Sequence, residues 1–187
     1  EVDHSWLPMA AIPTPQAAWG LDGSLQSALG GEAASLHGGC NWTDGHVAGV
    51  QALRLGGQCT GIARHTASLT FGLTSSLSAC ARFRTSTSGT PLLSKLTRIG
   101  QVVRGVAIEL GDERGLGISF ADGAGVSIHE ELGRSVMADG AWHHACVVLQ
   151  RTPRPQLSVY TDGRLSESMS LQDTTAFEPC AIASLMR

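Results

Sequence analysis

The amino-acid sequence predicts an all-β domain in which two antiparallel sheets form a sandwich or jelly roll. Glycine occurs 23 times and proline 7 times among 187 residues, whereas runs rich in helix-forming Ala, Leu, Glu and Lys are scarce. Short strand-like segments alternate with turn signals at intervals of roughly 8–12 residues, which is the spacing typical of sandwiches and jelly rolls.

Two segments show the alternation that is typical of a half-buried strand. Residues 50–55 partly alternate apolar and polar side chains. Residues 78–84 alternate throughout: Ser78, Cys80, Arg82 and Arg84 share one face, and Ala79, Ala81 and Phe83 share the other.

Asp-Gly pairs mark turns between the later strands. The turns are Asp122-Gly123, Asp139-Gly140 and Asp162-Gly163, and the strand-like segments around them are 102–110, 116–120, 142–149 and 157–160. For Asp122 and Asp162 we favour a role in the turn over a role as a lone calcium ligand. Residues 129–134 allow at most one turn of helix.

The bulk composition excludes several classes of protein. Hydrophobic residues make up 42% of the sequence and charged residues 16%, which argues against a disordered chain. The net charge is −3 and the Arg residues are scattered, so no basic field is present to bind nucleic acid or anionic lipid. No apolar stretch approaches the roughly 18 residues of a membrane span, so we expect no membrane insertion by this segment.

The start of the chain differs from the rest. Residues 1–16 contain Pro8, Pro13 and Pro15 without periodicity, which predicts a linker or extended lead-in. Residues 17–187 form the predicted domain, a length that suits one sandwich. Because the first residue is Glu1 and not Met, we interpret the chain as a mature or excised piece.

The cysteines and one tripeptide point to an oxidising compartment. Cysteines occur at positions 40, 59, 80, 146 and 180, and none forms a CxxC pair, which disfavours a zinc site of the Cys type. Asn41-Trp42-Thr43 is an N-glycosylation acceptor, so we predict glycosylation at Asn41 in a eukaryotic host. Together these features predict an extracellular or cell-surface location.

An ordered set of motifs resembles a known family. Residues 139–147 (Asp-Gly-Ala-Trp-His-His-Ala-Cys-Val) resemble the "DGxWHH" strand of laminin-G-like and pentraxin domains. Residues 157–164 resemble their "hxhYhDG" hairpin, and residues 69–83 resemble their "FTVSAW" strand. Residues 19–25 and 49–55 resemble their opening strands. This resemblance implies a concanavalin A-like, antiparallel two-sheet jelly roll.

The resemblance also implies a disulfide bond. Pentraxin-type domains join a Cys of the "FTVC" strand to a Cys of the "HxC" strand, and Cys80 and Cys146 stand at those places. In the chain-entropy model, a loop of this length stabilises the fold by about 4 kcal/mol. Two buried free thiols are the alternative.

Other features of the family are missing. Val148-Leu149 replace its Ser/Thr-Trp pair, and residues 100–105 contain no carboxylate where pentraxins place calcium-binding residues. Calcium prefers about six to eight oxygen ligands, so we expect no metal and no cofactor. The chain ends at Arg187, before the closing "GxIDxhxhY" strand, so we expect that a later segment or a neighbouring chain completes the sheet.

The remaining cysteines allow two pairings. A hairpin between Cys40 and Cys59 would bring their Cα atoms to bonding separation, and we favour this pair, with Cys180 free or bonded outside the segment. The alternative is Cys59–Cys180, in which the terminal strand pairs with the opening one. The spacing does not order these choices firmly.

Catalytic interpretations find little support. Some jelly-roll glucanases carry two Glu and an Asp on one strand face, but in residues 109–113 alternation separates Asp112 from Glu109 and Glu113. Because His143 and His144 are adjacent on a strand, they cannot chelate one ion together, and we interpret both as buried, hydrogen-bonded residues of the scaffold. No GxSxG motif occurs, and we predict that the chain is not an enzyme.

The tryptophans give a weak signal for sugar binding. Trp19 and Trp142 match core positions of the resembling family, and Trp42 lies within the sequon on a predicted loop. Aromatic residues are only 5% of the chain, which is low for a sugar-binding surface.

These observations favour a non-catalytic extracellular recognition or adhesion module, one domain of a larger surface protein, that binds a glycan or a protein. The first alternative is a structural module that packs into an extracellular filament or coat and contacts only neighbouring subunits. The second is a glycan hydrolase with an unrecognised site.

Overall fold

The computed structural model describes residues 15, 17–31, 33–66, 69, 76–89, 91–111, 115–122, 127–132, 136–151 and 154–171. These residues contain twelve β-strands and no α-helix. Every pairing between strands is antiparallel, so the predicted fold class is confirmed at this level. Apart from Pro15, the predicted lead-in at 1–16 lies outside the described residues, and so does the end of the chain.

The first four strands are short and form two separate two-stranded sheets. They are β1 (Ser35–His37), β2 (Asn41–Asp44), β3 (Gln51–Arg54) and β4 (Thr60–Ile62); β1 pairs with β4, and β2 pairs with β3. The prediction of an opening strand at residues 19–25 is wrong. The only β pairing of this stretch is an isolated bridge from Trp19 to Ser27. Leu21 has a φ of 49°, a left-handed conformation that an extended strand does not contain.

The other eight strands form two four-stranded sheets. Sheet A contains β5 (Leu77–Arg84), β10 (Trp142–Gln150), β11 (Gln156–Thr161) and β12 (Arg164–Ser170), in the order β12-β11-β10-β5. Sheet B contains β6 (Pro91–Ile99), β7 (Val102–Leu110), β8 (Leu116–Asp122) and β9 (Ser127–Leu132), in that order. The turn of helix considered at 129–134 is wrong for residues 129–132, because β9 pairs with β8 there, and residues 133 and 134 lie outside the described residues.

One hydrophobic core joins the two sheets. Sheet A contributes Ala145, Val147, Leu149, Leu157 and Val159, and sheet B contributes Ile108, Leu110, Leu116 and Ile118. Leu110, Leu116, Ile118, Leu157 and Val159 are fully buried. Each such side chain stabilises the fold by about 1.5–3 kcal/mol relative to an exposed position. The two sheets therefore form a sandwich.

The period of two along the strands explains which side chains reach this core. Residues 145, 147 and 149 of β10 are buried, and the residues between them point to the other side of sheet A. The alternation predicted for residues 78–84 is confirmed, because Ala79 and Phe83 pack against the core while Cys80 is exposed.

A two-residue turn connects β11 to β12. Thr161 pairs with Arg164, and Asp162 and Gly163 between them have φ values of 50° and 79°. Two consecutive positive φ values are typical of the type I′ turn, which favours the Asp-Gly sequence. Asp162 is therefore a turn residue, as its sequence context predicts. Asp122 ends β8, and Gly123 lies outside the described residues.

Candidate binding face

The side of sheet A that is turned away from the core is the best candidate for a functional site. We call this surface the outer face. Its central residues are Cys80, Arg82 and Arg84 of β5, Trp142, His144 and Cys146 of β10, and Tyr160 of β11. The three β5 residues are exposed, and the others are half-buried. Because the opposite side of the same strands is packed in the core, these positions are held by rigid backbone.

A disulfide bond crosses the middle of the outer face. Cys80 and Cys146 are direct cross-strand partners, and their sulfurs are bonded, with a Cα–Cα distance of 4.1 Å. Tyr160 stands opposite Cys146 on the other side. The pair that the family resemblance implies therefore lies at bonding distance.

The second bonded pair lies in the region of the small sheets. Cys40 and Cys59 are joined, with a Cα–Cα distance of 5.0 Å. This is the pairing that we favoured from the sequence. It leaves Cys59 no sulfur for the alternative bond to Cys180, which lies outside the described residues.

Trp142 forms a corner at one end of the outer face. The guanidinium carbon of Arg84, its direct cross-strand partner, lies 5.3 Å from the indole centroid, which is within the range of a cation–π contact. The imidazole of His46 also contacts the indole, in an edge-to-face arrangement with a centroid distance of 6.0 Å. His46 belongs to the loop between β2 and β3, so a small sheet also contributes to this corner. Trp142 is half-buried in the structure, which corrects its assignment to the core.

Directly behind this corner, His143 is held between two carboxylates. Its Nδ1 lies 2.9 Å from Oδ2 of Asp162, and its Nε2 lies 3.0 Å from Oδ1 of Asp139. Asp162 also accepts a hydrogen bond from the backbone N–H of His144, and Asp139 accepts one from the backbone N–H of Ala141. We call this arrangement the His143 clamp. It ties the turn before β10 to the turn between β11 and β12.

The clamp shifts the pKa values of its three members. The hydrogen bond from His143, followed by that from the His144 amide, lowers the pKa of Asp162. The hydrogen bond from the Ala141 amide, followed by that from His143, lowers the pKa of Asp139. Partial burial alone would lower the pKa of His143. The hydrogen bonds and charges of the two carboxylates outweigh that effect and raise this pKa above its ordinary value of 6.5. The arrangement therefore favours an imidazolium between two carboxylates.

The chemistry of the outer face is aromatic and cationic. Arg82 is the direct cross-strand partner of His144, in the next outward-facing row after Arg84 and Trp142. None of its seven central residues carries a carboxylate. Rows of Ser and Gln continue the surface along the strands: Ser78, Gln150, Gln156, Ser158 and Ser168. Such a surface offers ring faces, hydrogen-bond donors and positive charge to a polar ligand.

The predicted glycosylation residue lies at the start of a strand. Asn41 is exposed and is the first residue of β2, and Trp42 is half-buried opposite Leu53. The sequon is therefore on a strand and not on the loop that we expected. The exposure of Asn41 leaves room for a glycan, and the modification itself stays a prediction.

Of the three carboxylates considered for catalysis, Glu109 is the one that lies among the described residues. Oε1 of Glu109 accepts a hydrogen bond from the hydroxyl of Ser119 on the neighbouring strand, with a distance of 3.1 Å. Asp112 and Glu113 lie outside the described residues. That the chain is not an enzyme stays a prediction.

Sequence reasoning missed the Trp142 corner. The contact with His46 joins segments almost 100 positions apart in the numbering, and no local pattern predicts it. The alternation of residues 78–84 did place Cys80, Arg82 and Arg84 on one face, and this was the available signal.

A comparison with solved structures supports the sandwich fold. The chain is similar to the crystal structure of the binding domain of Paraclostridial Mosquitocidal Protein 1, with a TM-score of 0.57 and 18% sequence identity. The similarity covers 76% of this chain and 37% of the other chain. At this identity the likeness concerns the fold alone.

A scan against protein-family models and a search of curated proteins found no match. The laminin-G or pentraxin assignment and the jelly-roll connectivity therefore stay predictions. Within the part of the chain that the structure describes, no helix has the length and apolar character needed to cross a membrane.

Proposed function

We propose that the chain is a non-catalytic extracellular binding module and that its outer face binds a glycan bearing anionic groups. The observation that carries this proposal is the combination of Trp142, Arg84 and Arg82 on one solvent-facing surface without a carboxylate among its central residues. An indole ring offers an apolar surface for a sugar ring, and a guanidinium forms paired hydrogen bonds with carboxylate or sulfate groups.

The rigidity of the surface supports the same proposal. The strands beneath it are fixed by the core, the corner is anchored by the His143 clamp, and the centre is crossed by the Cys80–Cys146 bond. A preorganised site loses less conformational entropy when it binds a ligand.

Three further observations fit a binding module outside the cell. The similar solved structure is that of a binding domain, and the likeness in fold covers 76% of this chain. Two bonded cysteine pairs are typical of proteins from oxidising compartments. An exposed sequon at Asn41 is compatible with secretion.

The test is binding of the whole oxidised chain to an array of neutral, carboxylated and sulfated oligosaccharides. We expect binding to the anionic members, with an affinity that falls as salt increases. Replacing Arg82 and Arg84 together by Gln should lower the affinity about tenfold or more, because a hydrogen bond to a charged group contributes about 1.5–3 kcal/mol.

Arg164→Gln is the matched control. Arg164 is exposed at the start of β12 and is not among the central residues of the outer face, so this variant should bind as the parent chain does. Equal affinity of the parent chain for neutral and anionic glycans, or an equal loss in both Arg variants, would contradict the proposal. Binding to a protein with no binding to any glycan would assign the other ligand class.

A further inference from the structure

The Cys80–Cys146 bond has a histidine beside it. Nε2 of His144 lies 3.6 Å from the sulfur of Cys146. Among the described residues, the two sulfurs and one nitrogen of His144 are the group of three potential metal ligands whose atoms all lie within 4.8 Å of one another. All three side chains stand on the outer face of adjacent strands.

One separation among these atoms already matches the requirements of zinc. Zinc–sulfur bonds of about 2.3 Å and zinc–nitrogen bonds of about 2.0–2.1 Å, in a tetrahedral arrangement, place two sulfurs about 3.8 Å apart and a sulfur and a nitrogen about 3.6 Å apart. The separation of the His144 nitrogen from the Cys146 sulfur already has this value. While the sulfurs are bonded to each other they are too close together, and they are not thiolates.

We propose that reduction of the Cys80–Cys146 bond creates a zinc site formed by the thiolates of Cys80 and Cys146 and by Nε2 of His144, with the fourth position open to water. The oxidised chain lacks the site. The inference is independent of the proposed function, because it does not require that the outer face binds a glycan.

A dithiol supplies the electrons and protons that the reduction requires. A dithiol reductant attacks the sulfur of Cys80, the exposed residue of the pair, the sulfur–sulfur bond breaks, and the second thiol of the reductant releases Cys80 as its own disulfide forms. The protein disulfide gains two electrons and two protons, which the dithiol loses. When one zinc ion binds, the two protein thiols release two protons, and the ion with two thiolates is electrically neutral.

The surrounding sheet supports the reduced site. β5 and β10 are paired at eight positions, from Trp142–Arg84 to Leu149–Leu77, so backbone hydrogen bonds and the core hold the two Cys positions without the covalent bond. Cys80 is exposed, which gives a reductant access.

The experiment is a titration of the whole chain with Co²⁺ and Zn²⁺ after reduction by a tertiary phosphine and its removal under argon. The phosphine takes its oxygen from water as it becomes the oxide, and it leaves two thiols. We expect one equivalent of Co²⁺ to give a thiolate-to-cobalt absorption that Zn²⁺ abolishes. The oxidised chain should bind at least about a hundredfold more weakly. Circular dichroism records whether the sandwich persists.

Two histidine variants provide matched arms. His144→Gln leaves the disulfide intact and should weaken metal binding by the reduced chain about tenfold or more. His37→Gln removes the imidazole of a residue whose backbone carbonyl oxygen lies 3.4 Å from the Cys40 sulfur, and it should leave metal binding unchanged. Replacing Cys80 and Cys146 by Ser should abolish the cobalt absorption.

Several results would overturn the inference. They are a folded reduced chain without metal binding, a reduced chain that unfolds whether or not zinc is present, and equal binding by the His144→Gln variant. Undiminished binding after removal of Cys80 and Cys146 would also overturn it, because the ion would then lie elsewhere.

Discussion

The small sheets and the sandwich are stabilised in different ways. Residues 35–62, which contain β1 to β4, include no buried residue, and a single disulfide bond crosses them. The sandwich of β5 to β12 contains a core of fully buried side chains and carries its disulfide on the outside. Each region therefore contains one disulfide bond, but the two bonds differ in structural importance.

This difference indicates where the fold resists change. Two-stranded sheets without a buried face are marginal in water, so the region of β1 to β4 depends on Cys40–Cys59. The sandwich depends on burial, and its disulfide adds to a structure that the core already specifies. The core therefore holds the strands that carry Cys80 and Cys146 even without the bond between them.

The largest expected effect comes from the core of the sandwich. Leu157→Ala removes a fully buried side chain between the sheets, and we expect the free energy of unfolding to fall by about 2–5 kcal/mol. Denaturant unfolding followed by tryptophan fluorescence measures this change.

Leu165→Ala is the control for this prediction, because Leu165 is 56% exposed in the same sheet. We expect its unfolding free energy to stay within about 0.5 kcal/mol of that of the parent chain. Similar losses in both variants would mean that burial does not distinguish the positions as the structure indicates.

The next effect separates the two disulfides. Replacing Cys40 and Cys59 by Ser opens a link between residues 19 positions apart, which in the chain-entropy model is equivalent to about 3 kcal/mol. We expect hydrogen exchange to accelerate in β1 to β4 while β10 and β11 keep their protection.

The paired variant replaces Cys80 and Cys146 by Ser. Here the global unfolding free energy, measured on β10 and β11, should fall by as much as about 4 kcal/mol, and β1 to β4 should retain their parent exchange rates. If both double variants gave the same exchange pattern, the two regions would form one cooperative unit, and the comparison would fail.

The contrast between the regions also explains what the sequence could predict. In the sandwich, period-2 alternation and Asp-Gly turns are local signals, and they correctly indicated β5 and the turn at Asp162. In the first 60 residues the local signals were weaker, and the expected strand at 19–25 is absent because the chain bends at Leu21.

The approach of His46 to Trp142 depends on tertiary packing, so no local pattern predicts it. His143 was interpreted correctly as hydrogen-bonded, but its two carboxylate partners come from separate turns.

A smaller effect is expected at the turn between β11 and β12. Gly163 has a φ of 79°, in the left-handed region that is unfavourable for a side chain with a Cβ atom. We expect Gly163→Ala to lower the unfolding free energy by about 1–2 kcal/mol. A denaturant titration measures this change. Gly56→Ala is the control in the other region, because Gly56 is not among the residues with positive φ and nothing lies near an added Cβ there. A neutral Gly163→Ala would show that the type I′ turn is not required.

The smallest effect is the pH dependence of the His143 clamp, a link that β1 to β4 do not contain. The pKa of His143 is raised in the folded chain, so its contribution to stability is complete below about 6.5 and is lost as the pH rises through the folded value. The pKa of Asp162 is lowered, so its contribution is present above about 3.8 and is lost as the pH falls through the folded value. Between these limits the clamp stabilises the sandwich most.

Unfolding measured by denaturant from pH 3 to pH 9 tests this window in the parent chain and in His143→Gln. The parent should lose stability relative to the variant on both sides of the window. The reason is that the Gln side chain does not titrate and carries no charge to attract the two carboxylates. The loss should be modest, since Asp139 and Asp162 are exposed by 45% and 54% and water screens their charges. Addition of salt should reduce the difference further. The difference in unfolding free energy between the two chains could instead stay constant across the pH range. That result would show that His143 stabilises the turns by packing against Phe83, with ring centroids 6.3 Å apart, and not by its charge.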